Sequence, residues 1–171
     1  MSKTIEDFKN LYSKNKIIEN FKLHEMINEA LSTVNATLSY NNITLHKSLD
    51  ENISLKGCKS ELEQSILIII NNAKDALLSN AIQNPKIDIS LYKDKQNNTK
   101  IIKIYNNAGG IDKKIQDKIF NPYFSTKHKS KGTGIGLHIS KMIIENEMDG
   151  SITFENEDDE VSFYIIFKGA V

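Results

Sequence analysis

Residues 127–137 read KHKSKGTGIGL: three lysines spaced by single residues, then glycines at 132, 134 and 136, then the start of an apolar helical pattern. Glycine lets a backbone approach a ligand closely, and the unpaired amides and dipole at a helix start favour an anion there. Lys127, Lys129 and Lys131 bring positive charge to the same loop. The chemistry this suits is phosphate binding, although a GxGxG string alone is also compatible with an ordinary turn. All 22 basic residues are lysine. Bidentate guanidinium clamps are therefore absent, and phosphate charge must be met by ammonium groups, backbone amides or a metal.

Two further strings carry polar groups at unusual places. In SILIIINNAKDAL, Asn71, Asn72 and Asp75 follow five aliphatic residues directly, and helical spacing puts Asn72 and Asp75 on one face. A carboxamide oxygen is a hard, neutral ligand of the kind magnesium accepts beside phosphate oxygens and water. The plainer reading is that these residues end a buried stripe and face solvent. In IYNNAGGI, residues 104–111, a strand stops at a polar pair followed by Ala108, Gly109 and Gly110. That exposes backbone for close ligand approach, or simply makes a turn.

Periodicity predicts the elements that position these groups. Leu23, Met26, Ile27, Ala30, Leu31, Val34 and Leu38 recur at helical spacing over residues 22–40. A central helix is expected over 60–81, with Ser60 as N-cap, Glu61 and Glu63 in the first turn, and an end before Pro85. Residues 43–49 and 53–57 alternate as strands and are expected to pair across the DEN turn. Residues 86–93 and 100–106 form a second expected hairpin, and 151–156 and 160–168 a third. Short helices are expected over 112–118 and 135–148, whereas 4–21 reads as a frayed helix end and linker. The order implies an α+β fold: a two-layer α/β sandwich with a mixed sheet covered on one face by three helices.

Bulk properties narrow the function. A chain of 171 residues with 39% hydrophobic content supports one ordinary domain and its core. A formal net charge of zero provides no global field for nucleic acid or an anionic membrane, so any phosphate site depends on local geometry. The single Cys58 cannot form an internal disulfide, which fits a reducing compartment. The aliphatic run at 66–70 is too short to span a bilayer, so a soluble chain is expected.

Taken in order, NNAKDAL, IYNNAGGI, IFNPYFSTK and KGTGIGL resemble the N box, first glycine box, F box and second glycine box of bacterial two-component sensor histidine kinases. These are the catalytic and ATP-binding domains of the GHKL superfamily, with its Bergerat fold. The resemblance covers roughly residues 20–168. It implies ATP and Mg2+ as ligands, Asn72 as the magnesium ligand, and Asn72 and Lys127 as the catalytic residues. Asp75 would line the site beside Asn72. Thr126 and Lys127 would lie in an ATP lid of about residues 121–133, with Lys127 meeting the terminal phosphates. Gly132, Thr133, Gly134, Ile135, Gly136 and Leu137 would cradle the phosphates, and adenine would lie against residues 106–111, with Asn106, Ala108, Gly110 and Ile111 as binding residues. Phe120 and Phe124 are expected to anchor the lid in the core rather than stack on the base.

By the same resemblance, TIEDFKNLY looks like the tail of a dimerisation helix, giving domains at 1–21 and 22–171. The γ-phosphate would go to a histidine on a dimerisation domain outside this chain. None of the four histidines sits in a recognisable phosphoacceptor box, so the chain should not phosphorylate itself. The implied partners are that phosphoacceptor domain and a cognate response regulator, without nucleic acid or direct membrane contact. The chain would be a cytoplasmic monomer and its parent a homodimer, with or without a membrane anchor.

The sequence departs from the family pattern at three places. Asn106 stands where the first glycine box usually has Asp, whose carboxylate accepts a hydrogen bond from the adenine amino group. Ala108 replaces the middle glycine, costing about 1 kcal/mol if its backbone needs positive φ, unless Gly109 takes the turn. Ile68 stands where many relatives carry a second Asn. These changes raise an alternative, a degenerate nucleotide-binding fold acting as a non-catalytic interaction module.

Overall fold

The computed structural model describes residues 16–126, 133–157 and 160–169. In chain order the elements are β1 (Glu19–Lys22), α1 (Leu23–Tyr40), β2 (Thr44–Leu49), β3 (Ser54–Gly57) and α2 (Lys59–Ser79). They are followed by β4 (Lys86–Asp94), β5 (Thr99–Asn106), α3 (Gly136–Met142), β6 (Gly150–Glu157) and β7 (Glu160–Lys168). No described helix is long and apolar enough to cross a membrane.

The main sheet has five strands in the order β2-β4-β5-β7-β6. β2 is parallel to β4 and the other neighbours are antiparallel. One residue in two along β4, β5 and β7 is buried: Ile87, Ile89 and Leu91, then Ile102, Ile104 and Asn106, then Val161, Phe163, Ile165 and Phe167. Facing them are the stripes of α1 (Leu23, Met26, Ile27, Ala30, Leu31) and α2 (Leu62, Ile66, Ile69, Ile70, Ala73, Leu77). Three helices thus cover one face of a mixed sheet, as the periodicity predicts. The other face carries alternating polar and aromatic residues such as Lys103, Tyr105 and Tyr164, all part-exposed.

Five local expectations change. β2 and β3 do not pair with each other: β2 joins β4, with Leu45 opposite Ile87 and Leu49 opposite Leu91, and β3 joins β1, with Leu55 opposite Phe21. Alternation sets which face a strand buries, not which neighbour it takes, and Asp50, whose Oδ1 accepts the Asn52 amide at 2.9 Å, sends the chain elsewhere. The strand β1 also takes in residues 19–21, read from sequence as linker. Helix α2 is capped at Cys58 without a side-chain bond, and Ser60, already inside the first turn, lies 3.4 Å from the Cys58 sulfur.

Residues 112–118 form successive three-residue turns in place of a helix, with Ile115 N–H donating to Asp112 O at 3.0 Å and Lys118 N–H to Ile115 O at 2.9 Å. The Asp112 carboxylate takes the Lys114 amide at 2.9 Å, capping the first of these turns. Finally, α3 widens after Met142 into a π-turn, Ile143–Glu147.

Candidate functional site

The glycine turn is built against the segment that precedes it. Gly134 has φ +68°, and a Cβ there would lie 2.6 Å from both Phe124 O and Tyr123 C, so only glycine fits. Phe120 fixes that segment in turn: its ring sits 6.3 Å from Phe154 and 6.4 Å from Phe163, the latter edge-to-face. The Phe120 carbonyl meets His138 Nδ1 at 3.1 Å, and Lys141 Nζ lies 5.3 Å over its ring. Phe120 and Phe124 both pack on the main core, which supports anchoring rather than base stacking.

Downstream, Ile135 is buried with Ile139 and Ile143 in a second apolar cluster against Ile68, and Leu137 packs on the main core. These side chains hold the turn from below, while Thr133 is exposed. Thr126 is exposed at the end of the preceding segment, and Lys127 and Gly132 lie outside the described residues.

Helix α2 connects this turn to the other glycine loop. Gly136 lies so close to Ile68 that an added Cβ would stand 3.1 Å from its Cγ2. About three turns later, at the helix end, Asn80 Nδ2 donates to Ala108 O at 2.6 Å. At about 100° per residue, Ile68, Asn72 and Asp75 form one stripe along the helix. Asn72 and Asp75, both half-buried, therefore sit between the two loops, with Asp75 3.5 Å from Lys74 Nζ. At 1.5 Å rise per residue, residues 68 and 80 are roughly 18 Å apart along the axis.

The 106–111 loop is pinned by carboxamides. Asn107 Oδ1 accepts the Lys86 amide at 2.7 Å and its Nδ2 donates to Asn84 O at 3.1 Å. Asn156 brackets Ile111, accepting its amide at 2.7 Å and donating to its carbonyl at 2.9 Å. Gly109 takes the left-handed conformation at φ +93° and Ala108 does not, so the alanine carries no conformational penalty. Ala108 is 1% exposed and its amide donates to Asn106 Oδ1 at 3.2 Å. Gly110 is exposed.

Asn106 itself is 2% exposed, on the helix-covered face between Ile87 and Val161. The site residues predicted from sequence are thus spread over three neighbouring pieces: the glycine turn, the α2 stripe and the 106–111 loop. Asn80 and Asn156 escape sequence reading. Asn156 becomes visible only once the register aligns it with Val161 beside Asn106.

The opposite sheet face holds a recess lined by Lys103, Tyr105, Glu155, Glu160, Ser162 and Tyr164. Tyr164 donates to Glu155 Oε2 at 2.7 Å and Tyr105 to Glu160 Oε1. Burial, then the bond to Glu155, pushes the Tyr164 phenol up to about 12; burial and Glu160 likewise raise Tyr105. Protonated, glutamate-bonded tyrosines there supply no nucleophile or base near neutrality.

Comparison with known proteins gives the family and the fold. Residues 57–169 match the model of the histidine kinase-, DNA gyrase B-, and HSP90-like ATPases. The chain belongs to that family. Among its relatives, the two-component sensor PprA of Pseudomonas aeruginosa is 32% identical over 65% of this chain and 12% of its own length. The sensor histidine kinase GlnK of Bacillus subtilis is 35% identical over 71% of this chain and 30% of its own. The chain therefore spans less than a third of either relative. The nucleotide-free catalytic domain of histidine kinase ThkA superposes with a TM-score of 0.77 at 26% identity, covering 89% of this chain and 95% of that one. A second ThkA structure, in complex with the response regulator protein TrrA, has a TM-score of 0.74 at 25% identity over 98% of this chain and 47% of that one. Fold, family and relatives together define an ATP-binding domain of the histidine kinase catalytic type.

Proposed function

We propose that this domain binds ATP between the glycine turn and the 106–111 loop and passes the γ-phosphate to a histidine on a separate dimerisation domain of its parent. The observation carrying this reading is the position of α2. Ile68 touches Gly136, Asn80 holds Ala108, and Asn72 lies on the helix between them. A triphosphate reaching from one loop to the other passes the Asn72 stripe.

Magnesium fits this donor set. Among the described residues no group of three or more His, Cys, Asp or Glu could hold a metal alone. A single carboxamide oxygen suits an ion that keeps water and phosphate oxygens as its other ligands. Asn72 would hold it, and the bound ion would neutralise charge on the phosphates. The backbone amides of the turn from Thr133 to Leu137 would orient the phosphates, with Lys127 meeting the terminal group. Positioning and charge neutralisation supply most of the catalysis in phosphoryl transfer.

The partners in this reading are the phosphoacceptor domain and a response regulator; ThkA has been seen in complex with the response regulator protein TrrA. The chain acts as a monomer within a homodimeric, cytoplasmically facing parent. The test is transfer from γ-labelled ATP to the parent's separately purified dimerisation domain. Label should appear on that domain and not on this chain. Neither ATP binding nor transfer would favour the second reading, a degenerate nucleotide-binding fold acting as a non-catalytic interaction module, for which Asn106 is the supporting observation.

A further inference from the structure

The carboxamide of Asn106 has two unlike prongs, and the structure fixes which is which. Its Oδ1 accepts the Ala108 amide at 3.2 Å, an interaction only an oxygen can make. The flanking peptides cannot swing away. Asn107 N–H donates to Lys86 O at 3.4 Å on one side, and Asn80 Nδ2 donates to Ala108 O at 2.6 Å on the other. The remaining prong is therefore Nδ2, with two protons. Among the described residues the Asn106 side chain has no other hydrogen bond, although the residue is 2% exposed. Nδ2 is not among the enclosed, partnerless side-chain atoms of the described residues, so it keeps an opening through which an acceptor from outside the protein can reach it.

A carboxylate here would present an oxygen on both prongs: one for Ala108 and one for an exocyclic amino group. The carboxamide reverses the polarity of the outward prong. Adenine carries an amino group at purine position 6, which would set donor against donor. A 6-oxopurine carries a carbonyl oxygen there, which accepts. Turning the carboxamide over only moves the clash to the Ala108 amide.

We propose that Asn106 makes this site prefer 6-oxopurine nucleoside triphosphates over ATP. The inference rests on the reading of the 106–111 loop as the base site. Inosine triphosphate is the probe, because it has the oxygen without the 2-amino group of guanine; GTP then shows whether that group is tolerated. Calorimetric titration of the wild-type chain with magnesium and each nucleotide should give ITP binding about tenfold tighter than ATP. Asn106→Asp should reverse the order.

ATP binding as tightly as ITP or tighter in the wild-type chain overturns the preference and leaves the nucleotide site standing. An ATP-to-ITP ratio unchanged in Asn106→Asp, with the melting temperature retained, also overturns it. Binding of neither nucleotide removes both this inference and the proposed function.

Discussion

Alanine substitution at Gly134 separates the proposed role of the turn from simple chain flexibility. A non-glycine residue at φ +68° costs about 1–2 kcal/mol. The added Cβ would also overlap Phe124 O and Tyr123 C at 2.6 Å, backbone atoms tied to the core through Phe120. Overpacking of that kind costs about 1–3 kcal/mol. The sum, about 2–5 kcal/mol, is a large fraction of the stability of a domain this size.

Two other glycines serve as controls. A Cβ on Gly109, at φ +93°, would come no closer than 3.5 Å to Asn80 Nδ2, so Gly109→Ala should cost only about 1–2 kcal/mol. A Cβ on Gly57 would meet only the flexible Met148 methyl, at 2.6 Å, so Gly57→Ala should cost about 0.5 kcal/mol. Urea unfolding ranks the three variants, and nucleotide titration shows whether the Gly134 cost falls on the whole domain or on the turn alone. If the turn relaxes locally, the melting point changes little and nucleotide affinity falls at least tenfold. A Gly134→Ala protein with both stability and affinity indistinguishable from Gly57→Ala would refute the packing argument.

Other perturbations probe separate parts. Asn72→Ala should abolish magnesium-dependent nucleotide binding while circular dichroism and melting temperature stay unchanged; equal affinity in the two proteins would remove Asn72 from the site. Phe120→Ala should lower stability by about 2–4 kcal/mol, since it empties the contact with Phe154 and Phe163, and a loss of nucleotide affinity with no change in unfolding would instead make Phe120 a base platform. Because the folded state raises the Tyr164 pKa, the stability it contributes is full below the ordinary value of 10.0 and fades as pH rises toward about 12. Glu155→Gln should lower that titration, read by phenolate absorbance, without restoring the ordinary value because burial persists.

The long elements were legible because their stripes are unbroken. Leu23 to Leu38 and Leu62 to Leu77 repeat at helical spacing, and the β4–β5 and β6–β7 alternations lie on either side of short polar turns. Partners of short strands were not legible. Leu45 and Leu49 alternate equally well beside β3 or β4, and only the core beneath Ile87 and Leu91 decides between them. The glycines announced close approach, but the residues holding their loops did not. Asn80 and Asn156 are common surface residues by type, and their bonds to Ala108 and Ile111 arise from contacts distant in sequence. The 112–118 segment closes in successive i→i+3 turns rather than as a helix, an outcome that periodicity over seven residues does not encode.

The central claim is that the α2 stripe and the glycine turn form one magnesium-dependent nucleotide site. Calorimetric titration of the wild-type chain with ATP, first with magnesium and then with excess chelator, tests it most directly. Saturable one-to-one binding that disappears on chelation is the predicted result. Absence of binding with magnesium at millimolar ATP, or binding indifferent to chelation, would contradict it.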